Sequence, residues 1–238
     1  MNPRHPDNPE LIIIGGGVGG LVVASVAGQL GVRTTLIDRG PKLGGDCLHT
    51  GCVPSKTLIH SAKVASLMRR AGEFGLSAVE PRVDLGAVMD RVRAVIDSIQ
   101  VHDDPERFRG YGVDVRFGDA RFTGSHEVTV NGQRLSGRRF LIATGSRPAI
   151  PSIPGLEGSG FFTSDTIWSL RTLPKHLVVL GGGPIGLELA QAFTRLGSRV
   201  TLIEQAPRLL PREDADIAEA LGQCLKADGV TLHIGSTV

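Results

Sequence analysis

Apolar residues along the chain follow one pattern twice. Residues 11–20 consist of an apolar run and a Gly-rich turn, and residues 29–38 bring a second apolar run that ends in an acid. The same order returns in residues 177–186 and 195–204. A strand, a tight turn, a helix and a second strand explain each copy. The repeat therefore predicts two βαβ units of the doubly wound α/β kind, which are Rossmann-like nucleotide-binding modules.

The segment between the two copies predicts further helices and short strands. Apolar residues at helical spacing indicate helices over residues 55–72 and 84–100. Short β-like runs indicate strands, and Asn131-Gly132 is typical of a hairpin turn. The predicted strands are residues 113–117, 127–130, 138–143 and, near the end of the sequence, 230–234.

A Pro- and Gly-rich stretch, residues 148–160, is the best candidate for a linker between domains. It predicts a first domain over residues 1–150 and a second domain over residues 151–238. Few residues follow the second repeat, so we expect the second nucleotide-binding module to be incomplete.

The composition of this 238-residue chain is that of a globular protein and excludes several classes. Hydrophobic residues make up 41% and charged residues 21%, which argues against intrinsic disorder. The formal net charge is +2 without a basic cluster, so neither nucleic acid nor an acidic membrane surface is an expected partner. Three cysteines are too few for a disulfide scaffold, and we expect a reducing, cytoplasmic location.

Residues 11–32 are nearly free of charge and long enough to cross a bilayer or to imitate a signal peptide. The glycines clustered between Gly15 and Gly20, and the strand-like run 34–38 after this window, favour a strand, a turn and a helix instead. We therefore expect no membrane segment.

The first Gly-rich turn has the spacing Gly15-x-Gly17-x-x-Gly20, after a predicted strand and at the start of a predicted helix. In such a turn the first glycine permits the tight bend, the second lets the backbone approach a pyrophosphate, and the third permits close helix–strand packing. Asp38 ends the following strand, where a carboxylate can accept a hydrogen bond from a ribose hydroxyl. Together these features predict a dinucleotide site.

The second turn, Gly181-x-Gly183-x-x-Gly186, repeats this spacing, and Glu204 takes the place of the acid. A carboxylate there favours a free ribose 2′-hydroxyl and repels a 2′-phosphate. This predicts a preference for NADH over NADPH, unless a nearby cation such as Arg208 compensates.

Cys47 and Cys52 flank four residues in the segment 44–56, just after the first βαβ unit. The segment lacks a second cysteine pair, and His49 and His60 are the only nearby imidazoles, so no metal site is expected. A redox pair fits better than two buried structural thiols. If a helix begins here, its dipole would lower a thiol pKa and favour the thiolate.

Residues 44–56, Gly-Gly-Asp-Cys-Leu-His-Thr-Gly-Cys-Val-Pro-Ser-Lys, resemble the redox-active signature of the class I pyridine nucleotide–disulfide oxidoreductases. This family includes glutathione reductase, dihydrolipoamide dehydrogenase and mercuric reductase. Residues 143–148 resemble its Ala-Thr-Gly motif, and both dinucleotide fingerprints stand at matching places. The resemblance covers essentially the whole chain. It implies an FAD-binding domain with the redox-active cysteine pair over residues 1–150 and an NAD(P)-binding domain over residues 151–238.

The resemblance implies an electron relay between NADH, FAD and a Cys47–Cys52 disulfide, with NADP(H) less favoured than NAD(H). Cys47 matches the interchange thiol that reacts with the substrate, and Cys52 matches the thiol nearest the flavin, which as thiolate forms a charge-transfer complex. Lys56 matches a lysine near the reactive edge of the flavin, and Glu188 matches its ion-pair partner in a site expected to be buried. The residues implied to bind FAD are Gly15, Gly17, Gly20, Asp38, Ala120, Thr144, Gly145 and Ser146. Those implied to bind NAD are Gly181, Gly183, Gly186, Glu204 and Val238.

The family's C-terminal part has no counterpart in this sequence. That part supplies a second flavin-contacting segment with an Asp, the dimerisation domain, and a His–Glu pair that the partner subunit lends as acid and base. We therefore expect a homodimer for the full-length enzyme, and weak FAD retention with little turnover for this chain alone. Cys224 has no partner motif and is predicted to be a small core residue.

The substrate expected from the resemblance is a small-molecule disulfide or a metal ion. Residues 47–56 and 146–151 are most similar to the mercuric reductase-like branch, whereas Glu204 resembles the NAD-using dihydrolipoamide dehydrogenases. A mercuric reductase-like oxidoreductase is therefore the first interpretation and dihydrolipoamide dehydrogenase the second. An alternative of another class is a non-catalytic nucleotide-binding or redox-sensing module, which would show no NADH-dependent diaphorase activity.

Overall fold

The computed structural model describes residues 8–238, and those residues form two compact units. Unit 1 comprises the described chain up to Val53 together with Val95–Ala149, and unit 2 comprises Pro54–Ala94 and Ile150–Val238. Residues 54–94, which the predicted division assigned to the first domain, thus group with unit 2. Each unit contains one of the two repeats.

Unit 1 is built around the first βαβ repeat. It begins with β1 (Leu11–Ile14), α1 (Val18–Gln29), β2 (Thr34–Asp38) and α2 (Gly45–His49). The chain then leaves unit 1 along α3 (Cys52–Arg69) and returns to it along α4 (Leu85–Gln100). It completes unit 1 with α5 (Pro105–Gly110), β3 (Val113–Phe117), β4 (Ala120–Gly124), β5 (Glu127–Val130), β6 (Gln133–Ser136) and β7 (Arg139–Ile142).

The parallel sheet of unit 1 has the order β3-β2-β1-β7 among the described residues. Ile12 and Ile13 of β1 are fully buried, and they point to opposite faces because side chains alternate along a strand. Ile13 packs with Leu36 of β2 and Ala24 of α1 on one face. Ile12 packs on the other face with Val128, in an antiparallel sheet of order β4-β5-β6. Burial on both faces explains the unbroken apolar run of β1.

Unit 2 contains the second repeat, with three parallel strands in the order β10-β9-β8 among residues 8–238. Its elements are β8 (His176–Leu180), α6 (Pro184–Leu196), β9 (Arg199–Glu204), α7 (Ala215–Ala227) and β10 (Thr231–Ile234). Phe193 of α6 and Leu202 of β9 are fully buried in its core. Within the described part of the chain β8 has no neighbour where β7 stands beside β1, which fits the expectation of an incomplete second module.

Most predicted elements are present, with ends shifted by a few residues. Helices α3 and α4 correspond to the predicted helices over residues 55–72 and 84–100. Asn131 and Gly132 have φ angles of 49° and 78° between antiparallel β5 and β6, which confirms the hairpin turn. The elements β4, β6, α2 and α5 are absent from the prediction because each has only 4–6 residues, too few to show a periodicity. The longer helix α7 was also missed, although its buried residues stand at helical spacing.

The uncharged run of residues 11–32 contains β1, the Gly-rich turn and α1, as predicted. Nowhere in residues 8–238 is a helix both long and apolar enough to cross a membrane.

Cys224 is exposed on α7, so its prediction as a core residue is wrong. The buried side of α7 carries Ala218, Gly222 and Leu225 at helical spacing. Neighbouring residues are about 100° apart around a helix, so Cys224 lies beside this buried stripe and not within it.

Candidate dinucleotide and redox-cysteine site

Three glycines shape the turn between β1 and α1. Gly15 has a φ of 113°, and a Cβ built on it would lie 2.1 Å from the Ala143 carbonyl oxygen. A Cβ on Gly20 would lie 1.8 Å from the Gly15 carbonyl oxygen. Gly17 is the N-cap of α1 and has no side chain to cover the first amides of the helix. The turn is therefore a helix N-terminus of the kind that holds a pyrophosphate.

Asp38, at the end of β2, is oriented by the same turn. Its Oδ2 accepts a hydrogen bond from the Gly16 amide at 2.6 Å, and its Oδ1 accepts one from the Gly40 amide at 2.7 Å. The Gly118 amide donates to the Asp38 carbonyl oxygen at 2.8 Å, which brings the segment before Ala120 beside it. Each carboxylate oxygen keeps a lone pair that could accept a ligand hydroxyl.

The redox segment begins in direct contact with this turn. The Gly44 amide donates to the Gly16 carbonyl oxygen at 2.8 Å, and a Cβ on Gly45 would lie 2.6 Å from Gly17 Cα. Gly44 and Gly45 have φ angles of 120° and 57°. Glycine is thus required at position 45 by both conformation and space. The contact anchors Cys47, two residues further along, next to the dinucleotide turn.

The two cysteines stand at the junction of two helices. Cys47 lies half-buried within α2, and Cys52 is the exposed first residue of α3. Between them the Gly51 amide donates to the Asp46 carbonyl oxygen at 2.5 Å, and a Cβ on Gly51 would lie 2.9 Å from that oxygen. This tight turn brings the two thiols into hydrogen-bond contact. Neither cysteine forms a disulfide in this structure.

The hydrogen bond to Cys52, followed by burial, raises the pKa of the Cys47 thiol above its usual range. The negative charge of Asp103 acts in the same direction. For Cys47 this direction is the opposite of the lowering expected for a thiol at the start of a helix.

A cavity of about 680 Å³ in unit 1 connects the dinucleotide turn with the redox segment. Cys47 lies in its wall. Of the residues predicted to bind FAD, those that line it are Gly15, Gly17, Asp38, Thr144 and Gly145. The other three, Gly20, Ala120 and Ser146, are not part of its lining. The backbone amides, the oriented carboxylate and the glycines that keep the wall open fit a dinucleotide.

Four further charged or titratable residues line this cavity and are missing from the predicted set. They are Arg39, Lys42, Asp46 and His49. These residues are near Asp38 or Cys47 in the sequence, and that proximity is the signal by which they could have been identified. Arg39 and Lys42 also bring positive charge towards a phosphate site. In the described part of the chain, no group of three or more His, Cys, Asp or Glu side chains is arranged to hold a metal ion.

The second Gly-rich turn has the same hydrogen bonds as the first. The Gly182 amide donates to Glu204 Oε2 at 2.5 Å, and the Ala206 amide donates to Oε1 at 2.6 Å. A Cβ on Gly186 would lie 2.2 Å from the Gly181 carbonyl oxygen. The two Gly-rich turns differ in sequence, yet they hold Asp38 and Glu204 through the same pair of backbone hydrogen bonds.

Helix α6 starts as α1 does, with Gly183 as N-cap and no side chain capping it. Pro184 takes the first helical position, where a missing N–H costs little. Gly181 has a φ of 105°, but no atom lies within 4 Å of a Cβ built on it. The corresponding contact in unit 1 comes from Ala143 after β7, which has no counterpart among the described residues of unit 2.

Arg208 is held by its own loop. Its guanidinium donates to the carbonyl oxygens of Pro211 and Glu213, at 2.7 and 2.8 Å. After β10, the Ser236 amide donates a hydrogen bond to the Glu204 carbonyl oxygen at 3.0 Å. Val238 follows two residues later and is exposed.

Lys56 of α3 and Glu188 of α6 form the predicted ion pair, within unit 2. The Lys56 Nζ lies 2.6 Å from both carboxylate oxygens of Glu188. The two side chains are 61% and 41% exposed, so the expectation of a buried site is wrong in this structure. Water screens such a pair, and its contribution to stability is small.

Known proteins are similar to this chain in sequence and fold along nearly its whole length. A model of the family described as "Pyridine nucleotide-disulphide oxidoreductase" matches residues 9–238. A mercuric reductase of Lysinibacillus sphaericus is 37% identical, over 98% of this chain and 42% of its own length. A dihydrolipoyl dehydrogenase of Acholeplasma laidlawii is also 37% identical, over 94% of this chain and 67% of its own.

Among solved structures, the Cu(II) complex of the HOCl-induced flavoprotein disulfide reductase RclA from Escherichia coli is 32% identical and has a TM-score of 0.82. The match covers 96% of this chain and 49% of that chain. The present chain therefore spans less than half the length of the mercuric reductase and about half of the RclA chain.

Proposed function

Because this chain belongs to the pyridine nucleotide-disulphide oxidoreductase family, we propose that it passes electrons between NAD(P)H, FAD and a disulfide formed by Cys47 and Cys52. The observation that carries this proposal is the cavity of unit 1, whose wall contains both the Gly-rich turn and Cys47. A ligand bound by the turn would extend to the redox pair. The proposed activity draws on relatives of which this chain covers 42% and 49%.

In the FAD site, the amides of residues 15–19 would hold the pyrophosphate, and Asp38 would accept a hydrogen bond from a ribose hydroxyl. Arg39 and Lys42 would add positive charge for the phosphates. FAD, when bound, supplies the two-electron chemistry between a nicotinamide and a disulfide. The proposed FAD-binding residues are Gly15, Gly17, Gly20, Asp38, Ala120, Thr144, Gly145 and Ser146.

From the resemblance of residues 44–56, Cys47 is proposed as the thiol that exchanges with the substrate and Cys52 as the thiol that faces the flavin; of the two, Cys47 lines the cavity. In the net reaction, NADH and a proton reduce the Cys47–Cys52 bond to two thiols, and the dithiol passes two electrons on to the substrate while its S–S bond re-forms. The hydrogen bond between the thiols supports this division, since it keeps a proton on Cys47.

The proposed NAD site consists of Gly181, Gly183, Gly186, Glu204 and Val238. Two backbone amides hold the Glu204 carboxylate in one orientation, which favours a ribose 2′-hydroxyl. Arg208 is turned onto its own loop and is not placed to neutralise a 2′-phosphate. We therefore propose NADH as the preferred nicotinamide cofactor.

Lys56 and Glu188 are proposed as the cation and its partner near the flavin. A positive charge there would stabilise the negative charge of a reduced cofactor. Glu188 holds the lysine side chain in one position through both carboxylate oxygens.

The proposed substrate is a small-molecule disulfide or a metal ion. The relatives named mercuric reductase and dihydrolipoyl dehydrogenase reach the same 37% identity, so identity does not separate them. A mercuric reductase-like activity stands first because residues 47–56 and 146–151 resemble that branch. Dihydrolipoamide oxidation stands second, favoured by Glu204. A homodimer and a cytoplasmic location are proposed for the whole protein.

The test is a count of thiols with and without NADH. With FAD in excess and oxygen excluded, NADH should raise the number of titratable thiols per chain by two. Cys224→Ser is the control, since it should lower both counts equally. Cys52→Ser should retain FAD but lose the long-wavelength thiolate–flavin band on reduction. A count that NADH leaves unchanged would instead favour a non-catalytic nucleotide-binding or redox-sensing module.

A further inference from the structure

Asp46 is a cavity residue to which the electron relay assigns no task. It lies in α2 directly before Cys47, and it lines the same cavity as the first Gly-rich turn. The amides of Thr50 and Gly51 both donate to its carbonyl oxygen, at 2.9 and 2.5 Å, which fixes its backbone. The residue is exposed, and an ionised carboxylate offers only acceptor sites. The cavity wall therefore presents a charged acceptor one residue from the proposed substrate thiol.

The ends of three parallel strands define the surroundings of this acceptor. In the sheet of unit 1, Ile14 at the end of β1 pairs with Ile37 of β2 on one side and with Ile142 of β7 on the other. The carboxyl ends of these strands therefore lie at one edge of the sheet, where ligands of doubly wound folds bind. The Gly-rich turn leaves the middle strand. Asp38 ends β2 and Gly145 follows β7, so these two residues stand on opposite sides of the turn.

Asp46 stands on the β7 side of the turn. A Cβ built on Gly145 would lie 3.6 Å from Asp46 Oδ2, so the carboxylate packs against the segment that follows β7. The preceding residue, Gly45, contacts the N-cap of α1, because a Cβ on Gly17 would lie 3.6 Å from Gly45 Cα. On the β2 side, two backbone amides hold the carboxylate of Asp38. Two carboxylates thus flank the amides that would hold a pyrophosphate.

A flavin dinucleotide has the matching order of chemical groups. Its pyrophosphate lies between two chains of hydroxyl groups, the ribose of the adenosine half and the ribityl chain of the flavin half. A carboxylate accepts charge-assisted hydrogen bonds from hydroxyl groups, and it repels a phosphate placed at the same position. With the pyrophosphate at the N-terminus of α1, one hydroxyl-bearing chain would extend towards each carboxylate.

We propose that Asp46 accepts hydrogen bonds from the ribityl hydroxyls of FAD and so directs the flavin half of the cofactor towards Cys47. The adenosine half then extends to the other side of the turn, towards Asp38. This proposal rests on the proposed function, in which unit 1 holds FAD. Asp46 is thus a further binding residue that selects a neutral chain of hydroxyl groups and fixes the direction in which the dinucleotide lies.

The test is a set of binding titrations of the 238-residue chain by isothermal titration calorimetry, which needs no turnover. The ligands are ADP, FAD and three analogues of FAD that each lack the 2′, 3′ or 4′ hydroxyl of the ribityl chain. The wild type should bind at least one analogue about tenfold more weakly than FAD, because a hydrogen bond to a charged group is lost. Asp46→Ala should weaken FAD binding about tenfold and leave ADP binding unchanged.

The coupling between residue and hydroxyl separates a direct contact from a structural effect. In Asp46→Ala, the analogue that the wild type discriminates should bind as well as FAD, because the acceptor for that hydroxyl is gone. A merely structural role would weaken FAD and its analogues alike and leave the discrimination in place. Asp38→Asn should weaken FAD and ADP by the same factor. Asp97→Asn, an exposed carboxyl of α4 outside the cavity, is the matched control and should bind every ligand as the wild type does.

Three results would overturn the proposal while wild-type binding of FAD leaves the proposed function standing. They are equal wild-type affinity for FAD and all analogues, discrimination that survives in Asp46→Ala, and tighter FAD binding by Asp46→Ala, which would mean that the carboxylate repels the diphosphate. If circular dichroism shows that Asp46→Ala does not fold, Asp46→Asn, which keeps the size of the side chain, provides the same comparison. A wild-type chain that binds neither FAD nor ADP would overturn the proposed function and this proposal together.

Discussion

The acids that end the second strand of each repeat are oriented before any ligand binds. Asp38 and Glu204 each accept two backbone N–H groups, one from the Gly-rich turn and one from the residue two positions further along. Charge-assisted hydrogen bonds of this kind hold a flexible side chain in one geometry. A nucleotide bound at either turn would therefore meet a fixed carboxylate, and the cost of ordering that side chain would not reduce its affinity.

This fixed carboxylate gives a prediction about the nicotinamide cofactor. Glu204→Gln should lower the preference for NADH over NADPH about tenfold, equal to about 1.4 kcal/mol, because repulsion of a 2′-phosphate is lost. Arg208→Ala should leave the preference nearly unchanged, since the guanidinium is bound to its own loop. Binding titrations with both nucleotides measure the ratio. A wild-type protein that prefers NADPH would contradict the assignment of Glu204.

The close packing of the helix against the strand in each repeat depends on the third glycine of the Gly-rich turn. A Cβ on Gly20 or Gly186 would lie about 2 Å from a backbone carbonyl oxygen. Only a shift of the backbone could relieve this clash. Gly20→Ala and Gly186→Ala should each reduce the free energy of unfolding by about 1–3 kcal/mol or more. Urea denaturation measures the loss. Gly110→Ala in α5 is the control, because its Cβ would meet nothing within 4 Å; equal effects at all three positions would refute the packing argument.

Helix α4 is joined to the segment around residue 171 by a carboxylate between two arginines. Arg171 donates to both oxygens of Asp90, at 2.9 and 2.8 Å, and Arg93 pairs with the same carboxylate. The guanidinium groups, that of Arg171 first, hold the pKa of Asp90 well below its usual range. A carboxyl pKa lowered in the folded state contributes stability above the unfolded value of about 3.9, and this contribution is lost as the pH falls towards the folded value.

We therefore expect the urea midpoint to fall more steeply with acidification for the wild type than for Asp90→Asn. The urea midpoints should be compared between about pH 5 and pH 2, because in this range the carboxyl group becomes protonated in the unfolded chain before it does in the folded chain. Asp97→Asn, an exposed carboxyl of the same helix, should keep the wild-type slope. Parallel lines for the wild type and Asp90→Asn would show that the arginines do not act on Asp90 in solution.

For the molecule as a whole, we predict that cofactor retention depends on chain length. The cavity that fits a dinucleotide is lined by residues of unit 1, and the chain spans 42% of the mercuric reductase it matches. Relatives have further sequence available for contacts with the same ligand. The 238-residue chain should therefore lose most of its FAD on gel filtration. Absorbance at the flavin and protein bands gives the ratio, and a value near one flavin per chain would contradict this expectation.

Much of this molecule follows from sequence patterns that are local. The two turns were predictable because only glycine permits their bends and close contacts, and the acids were predictable from their place after each second strand. The pairing of Lys56 with Glu188 came from the family resemblance, since 132 residues separate them and no periodicity joins them. Its exposure was predicted wrongly, because burial depends on what surrounds a pair and not on its partners alone. Cys224 was misplaced for the same reason.

The sequence alone determined the doubly wound modules, the glycine turns and the cysteine pair, because each rests on residue types at short, fixed spacings. Only the tertiary structure decided that residues 54–94 group with unit 2, and that the side chains of His49 and Gln100 converge on the Leu43 carbonyl oxygen. Such contacts join segments far apart in the chain. They depend on how complete elements pack, and no local pattern of hydrophobic and polar residues records that packing.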